Sequence, residues 1–466
     1  MAQEKDSLIY ERKLVWDSIS EKEKKTVFEF AEGYRRFISE VKTERETCGW
    51  AARIAAQAGF SEFSKGAGKA KKIFCRNKFS GMGLVRIGRR PFREGFRLIV
   101  SHGDTPRLDL KPQPLVEEDL LGFLKTHYYG GIKKYQWVTR PLSLHGVIVL
   151  KNGTRHDVVV GEKNNEPVFT VTDLLPHLAK DQMEKKMSEG VQAESLNLLV
   201  GALPEPKKAG GKEPEKPAGN RVKKAILRIL NGKYGLTEED LVSADLQAVP
   251  AGPAQDLGFD RALILGYGQD DRICTYTSMQ AFLEAENPEF TTVCLIVDRE
   301  EIGSEGVSSI QSNFLSSLLA RVFQADQAEL NEAFSRSYAI SADVNGGLDP
   351  AYREVFEPQN APRLGCGTVL TKFTGHGGKY GSSEASAEFV ARLRSLFSRK
   401  KVFWQTGELG RIDKGGGGTV AKYLTRYQME TIDIGPALLS MHAPCEVSHK
   451  ADIYSTYQAY LAFYLD

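Results

Sequence analysis

Glu300 and Glu301 stand two residues beyond the apolar run Val293–Val297, with only Asp298 and Arg299 between. A run of that length and composition reads as a buried strand, and paired carboxylates at its end are costly to bury unless a cation or a partner compensates them. On a loop, neighbouring side chains face different ways, so one carboxylate can bind a metal while the other handles a proton. Three further apolar runs finish on a metal-ligand residue type: Phe96–Ser101 leads into His102-Gly-Asp104, Tyr338–Ala342 into Asp343, and Ile434–Met441 into His442. In open parallel α/β sheets, ligands gather outside the carboxyl ends of the strands, so four runs ending in this way point to one converging site. A fifth candidate is Asp270, after the run Ala262–Leu265, since one carboxylate can bridge two cations with its two oxygens. Asp270-Asp271 also fits a helix N-terminus, where Asp accepts from free backbone N–H groups, and both readings can hold together. Histidine with carboxylates is hard, mixed N/O ligation that suits zinc, manganese or cobalt. The lack of cysteine in the set argues for a catalytic site rather than a closed structural one.

The elements that must position these residues are legible in outline. Ser20-Glu-Lys-Glu23 and Thr43-Glu-Arg-Glu46 each match the capping box that starts a helix. After the first, Val27, Phe30, Ala31, Tyr34, Phe37 and Ile38 form one apolar face at helical spacing, a stripe for core packing. The tail from Ala451 to Leu465 repeats the pattern and is expected to pack against the sheet. Between about 113 and 250 the pattern changes. Leu142–Leu150 and His156–Val160 flank Asn152-Gly153, which predicts a hairpin closed by a two-residue turn. A stretch rich in Pro, Lys and Gly from Pro204 to Asn220 predicts a flexible exposed loop. The expected organisation is a discontinuous domain, 1–112 and 251–466, interrupted by a β-rich insert over 113–250.

Taken in order, His102-Gly-Asp104, Asp270-Asp-Arg272, Glu300-Glu301, Ser341-Ala-Asp343 and His442-Ala-Pro-Cys-Glu446 resemble the co-catalytic metallopeptidases of the aspartyl aminopeptidase and vacuolar aminopeptidase I family. The likeness spans nearly the whole chain. It implies an α/β fold: a catalytic domain built on a doubly wound mixed sheet of the zinc-exopeptidase type, with an inserted β-rich domain that drives dimerisation, and dimers that assemble into a dodecamer. It also implies that His102, Asp270, Glu301, Asp343 and His442 hold two divalent metal ions, zinc or otherwise manganese or cobalt, with Asp270 bridging. Glu300 would be the general base, taking a proton from the metal-activated water and returning it to the leaving amine, and Asp104 would orient His102. His177 matches a family histidine offered to the neighbouring subunit; an ordinary surface histidine is the alternative. Lys379 and Tyr380, in the glycine-rich run Gly375–Gly381, are candidates for substrate contact, and Lys372 for an acidic substrate side chain. The sequence Gly415-Gly-Gly-Gly-Thr419 lacks the Walker ending and reads as the lining of a substrate pocket rather than a phosphate cradle.

Departures from the family pattern bear on side-chain preference. Histidines usually follow the residue matching Asp343, whereas this chain continues Val-Asn-Gly-Gly-Leu-Asp349. The usual Asp-Asn-Leu is replaced by Asp270-Asp-Arg272, and His442–Asp452 is similar to the tetrahedral glutamyl and leucyl aminopeptidases. The activity implied is release of single residues from peptides with a free amino end. The same metal site could serve an amidohydrolase, a deacylase or a carboxypeptidase, and a non-enzymatic oligomeric scaffold is a third reading.

Composition agrees with a globular enzyme. A chain of 466 residues has ample length for two domains. The net charge of +2 gives no reason to expect nucleic acid or a membrane as partner. The start, Met-Ala-Gln-Glu-Lys-Asp, lacks a secretory pattern, and no apolar run approaches the roughly 20 residues that span a bilayer. Six cysteines without CxxC spacing read as reduced thiols, so a cytoplasmic location is expected.

Overall fold

A computed structural model of the chain describes residues 8–63, 70–206 and 220–466. It divides into two compact units, one formed by 1–104, 254–441 and 446–466, the other by 105–253 and 442–445.

The first unit is built on a mixed sheet whose strands, among the described residues, run in the order Ser61–Glu62, Lys72–Asn77, Gly81–Arg86, Thr291–Val297, Phe96–His102, Tyr338–Ser341, Glu430–Gly435, Thr368–Thr371 and Trp404–Thr406. The four central members, from Thr291–Val297 to Glu430–Gly435, are mutually parallel. Their side chains alternate between two cores, as a strand's period of two requires. Ile99, Cys294, Ile296 and Ile340 enter one core, together with the helices Glu21–Glu40, Glu44–Gln57, Gln269–Glu284 and Lys450–Tyr464. Leu98, Val100, Val293, Leu295 and Val297 enter the other, with the helices Phe314–Phe323 and Gln327–Ser335. Helices on both faces explain why these strands read as continuous apolar runs rather than as alternating ones.

Both predicted capping boxes form. The Ser20 and Thr43 hydroxyls accept the amides of Glu23 and Glu46, while those glutamates reach back to the cap amides. The tail helix packs against the helix Gln269–Glu284 and the strands of the sheet.

Two expectations change. The run Ile434–Met441 is not one strand: Glu430–Gly435 belongs to the large sheet and Ala437–Leu439 to a second sheet, with Pro436 between them. Proline cannot donate to a ladder, and Gly435 passes so close to Asp343 that an added Cβ would meet its carbonyl oxygen at 2.1 Å. Asp270, likewise, follows a strand of that second sheet, Leu263–Gly266, which pairs antiparallel with Glu446–His449.

The second unit is antiparallel throughout its described ladder, in the order Arg155–Val160, Leu142–Val149, Ala244–Pro250, Arg107–Glu118, Leu121–Tyr129, Leu198–Gly201 and Thr170–Val171. The expected hairpin is present, but Val149 pairs with Arg155, so its connection has five residues rather than two. Gly153, at φ 85°, donates to the Leu150 carbonyl, forming a turn followed by a left-handed glycine. The flexible loop expected over Pro204–Asn220 lies outside the described residues from 207 to 219.

Candidate metal centre

The parallel strand Phe96–His102 is buried along its whole length and delivers His102 at its carboxyl end, 2 % exposed. The His102 Nδ1 lies 3.0 Å from the Asp104 carbonyl oxygen and 3.3 Å from Asp104 Oδ1. A carbonyl oxygen only accepts, so Nδ1 carries the proton and the lone pair falls on Nε2, the arrangement of a metal-ligating imidazole. That Nε2 is 3.4 Å from Asp270 Oδ1.

The next strand, Thr291–Val297, ends at the turn Glu300–Ile302, which Arg299 enters at φ 68° and Gly303 leaves at φ 99°. Asp104 fixes this turn from the side. Its Oδ1 accepts the Glu300 amide and its Oδ2 the Glu301 amide, each at 3.2 Å. One carboxylate therefore braces the His102 ring and anchors the Glu300-Glu301 backbone.

Asp270 and Asp271 open the helix Gln269–Glu284 but lack helical backbone angles, and the peptide bond between them is cis. The Glu446 Oε2 accepts the amides of Gln269 at 2.5 Å and Asp270 at 3.2 Å, while Asp271 Oδ2 accepts the His102 amide at 3.3 Å. The strand Tyr338–Ser341 brings Asp343 to the same end of the sheet.

These segments converge. Ligand atoms of His102, Asp270 and Glu301 lie within 4.8 Å of one another, and so do those of Asp270, Asp271 and Asp343. Asp270 belongs to both groups, so one carboxylate links them. Burial, and then the charges of the neighbouring Asp270 and Asp271, push the Asp343 carboxyl well above the usual carboxylate range. Burial does the same to Asp271. Burial alone would lower His102, but its contacts with Asp104 and Asp270 outweigh that and raise it well above an ordinary imidazole. An imidazole with its lone pair directed inward beside several buried carboxylates is a mixed N/O donor set that fits zinc or a similar divalent ion.

The remaining candidates are placed as follows. His442 lies in the second unit, at φ 64°, with Nδ1 2.9 Å from the Gly131 carbonyl oxygen, which again directs the lone pair to Nε2. His177 is exposed in the short turn Pro176–Leu178 of that unit. In the first unit, Lys372 and Tyr380 are exposed. Lys379 pairs with Glu384 at 3.2 Å and lies 3.9 Å from the centre of the Phe373 ring. Two residues at the centre carry no ligand or anchoring role in the sequence reading. Asp271 was visible as half of the Asp-Asp pair, and Glu446 as the last residue of the His442–Glu446 motif.

A family model, "Aminopeptidase I zinc metalloprotease (M18)", matches residues 37–464. A probable M18 family aminopeptidase 1 of Clostridium acetobutylicum is 46% identical over 468 residues, covering 98% of this chain and 99% of the relative. The crystal structure of an M18 family aminopeptidase from Thermotoga maritima superposes with a TM-score of 0.92 at 41% identity, covering 98% of this chain and 99% of that one. The S. cerevisiae mApe1 dodecamer, at 20% identity and a TM-score of 0.74 over 95% of this chain and 97% of its own, shares the fold.

Proposed function

We propose, for a chain that belongs to the aminopeptidase I zinc metalloprotease family (M18) and is a metallo-aminopeptidase, a two-metal mechanism with Glu300 as general base. His102, Asp270, Glu301, Asp343 and His442 would hold the ions, Asp270 bridging, with zinc as the natural occupant. When bound, such ions polarise a carbonyl and lower the pKa of water to about 7. Glu300, beside the ligand Glu301, takes a proton from the attacking water on its carboxylate and delivers it to the leaving amine. Asp104 keeps His102 in one tautomer and holds the Glu300 backbone in place.

The observation that carries this reading is the shared anchoring by Asp104. Asp104 holds the ligand histidine through its carbonyl and carboxylate oxygens and the turn of the proposed base through its carboxylate, so the two share one anchor. A residue that only capped a turn would have no need to face His102.

The substrates in this reading are peptides with a free amino end, contacted by Lys379, Tyr380 and Lys372. The antiparallel unit serves dimerisation, the dimers build a dodecamer, and His177 reaches a neighbour's site. The protein works in the cytoplasm; among the described residues no helix is long and apolar enough to cross a membrane, and the six cysteines are unpaired thiols.

Initial rates on matched aminoacyl anilides, free and N-acetylated, test the reaction class. The panel should include Asp, Glu, Leu and Lys. Cleavage confined to the free-amine series is expected, and cleavage of the acetylated series instead would assign a deacylase.

A further inference from the structure

The two glycine-rich segments of the first unit meet in a small ribbon. Gly375 pairs with Gly417 and His376 with Gly416. They approach so closely that a Cβ on Gly416 would meet the Gly375 carbonyl oxygen at 2.2 Å. The glycine runs themselves send no apolar side chain into a core; the 415–424 segment is tied to one only beyond Thr419, through Val420, Tyr423 and Leu424.

Asp433 is placed to tie the runs to the sheet. It is 3 % exposed, on the central strand Glu430–Gly435. Its Oδ1 accepts the Thr419 hydroxyl at 2.6 Å, and its Oδ2 faces the Ser383 hydroxyl at 3.4 Å. Thr419 ends the Gly415–Gly418 run, and its Oγ1 also accepts the Ala421 amide at 3.3 Å. Ser383 closes the other segment: its amide donates to Thr374 Oγ1 at 3.3 Å, and its carbonyl accepts the Thr374 amide at 3.1 Å. One carboxylate thus takes a hydroxyl from each segment.

The strand that carries Asp433 and the segment that follows Thr419 both touch backbone leading to candidate site residues. Asp433 is in register with Ser341, two residues before Asp343, on one neighbouring strand, and with Thr371, which leads into Lys372, on the other. Beyond Thr419, the hydroxyl of Tyr423 donates to the Gly303 carbonyl at 3.1 Å, in the turn that carries Glu300 and Glu301.

We propose that Asp433 is a positioning residue that locks the 372–384 and 415–424 segments into one wall beside the metal centre and thereby sets substrate affinity. The inference rests on the aminopeptidase reading. It differs from it in claiming that a group touching neither metal nor substrate determines KM. A charged acceptor strengthens hydrogen bonds from hydroxyls, which suits a carboxylate better than an amide at this junction.

The test compares Asp433→Ala and Asp433→Asn with the wild type on a free aminoacyl anilide, alongside bound metal. Asp433→Ala should keep its metal and raise KM by up to on the order of ten- to a hundredfold, the ceiling set by losing the order that the Thr419 hydrogen bond to a charged group maintains, with kcat changed far less. Asp433→Asn retains an acceptor for Thr419 and should recover part of the KM. A wild-type KM in Asp433→Ala, or loss of metal as its first effect, would overturn the proposal. If Asp433→Ala does not fold, Thr419→Val should raise KM and Thr419→Ser restore it; an unchanged KM in Thr419→Val would overturn it equally. An inactive wild type would instead reject the aminopeptidase reading itself.

Discussion

Asp271 and Asp452 are both fully buried aspartates at the start of long helices, and burial pushes both carboxyls upward. Their surroundings differ. Asp452 receives the amides of Gly365 and Gly367, each at 2.7 Å, one on each oxygen. Asp271 accepts the His102 amide at 3.3 Å and shares its space with the ligand oxygens of Asp270 and Asp343. Backbone donors satisfy the first carboxylate, so it organises a loop and calls for no cation. The second stands beside the like charge of Asp270, which the His102 amide and imidazole offset only in part and a cation would offset further. Buried charge alone therefore does not mark function; buried like charge on convergent segments does.

The largest effect that could break this contrast is expected at Glu300. Glu300→Gln should retain its metal yet lose turnover by on the order of 10²–10⁴, the usual range for a positioned acid–base. Steady-state rates near wild type would remove Glu300 as the base. Asp104→Asn should cost roughly 10–100-fold in activity or metal affinity, as expected for a group that orients a ligand histidine. A metal titration of the purified variant checks this, and wild-type affinity together with wild-type rate would mean that the His102 contact is only incidental.

At the satisfied carboxylate the effect should fall on stability alone. Burial pushes Asp452 up to about 8 despite its two amide donors, whereas an unfolded Asp titrates near 3.9. The folded chain binds that proton more tightly. Its stabilising contribution is thus complete below about pH 4 and is lost as the pH rises through about 8. Asp452→Asn should remove this decline from the pH dependence of Tm. It should also lower stability by about 1–3 kcal/mol, because the amide group cannot accept both N–H groups. Turnover per folded molecule should not change, and a fall in turnover at constant metal content would show that the two regions are not separate in function.

The sequence made the parallel strands and their ends legible because strands covered on both faces read as unbroken apolar runs, and a polar residue at the end of such a run stands out. His102, Glu301 and Asp343 stand out in that way, and the structure brings His102 and Glu301 together with Asp270, and Asp270 with Asp343. The capping boxes were equally plain, being local. What escaped depends on contacts distant along the chain. Glu446 reaches back to the amides of Gln269 and Asp270. Asp433 collects hydroxyls from Ser383 and Thr419. Neither has a local pattern: Glu446 opens a short strand, and Asp433 is a lone charge between Ile432 and Ile434. The split of Ile434–Met441 between two sheets had a local signal in Gly435-Pro436, but apolar continuity concealed it.

The most direct test is elemental analysis of the purified full-length protein and of Glu300→Gln, each dialysed after loading with zinc. The account predicts two ions per chain in both proteins, because Asp270 belongs to both ligand groups and Glu300 is the base rather than a ligand. A single ion in the wild type, or loss of an ion in Glu300→Gln alone, would contradict it.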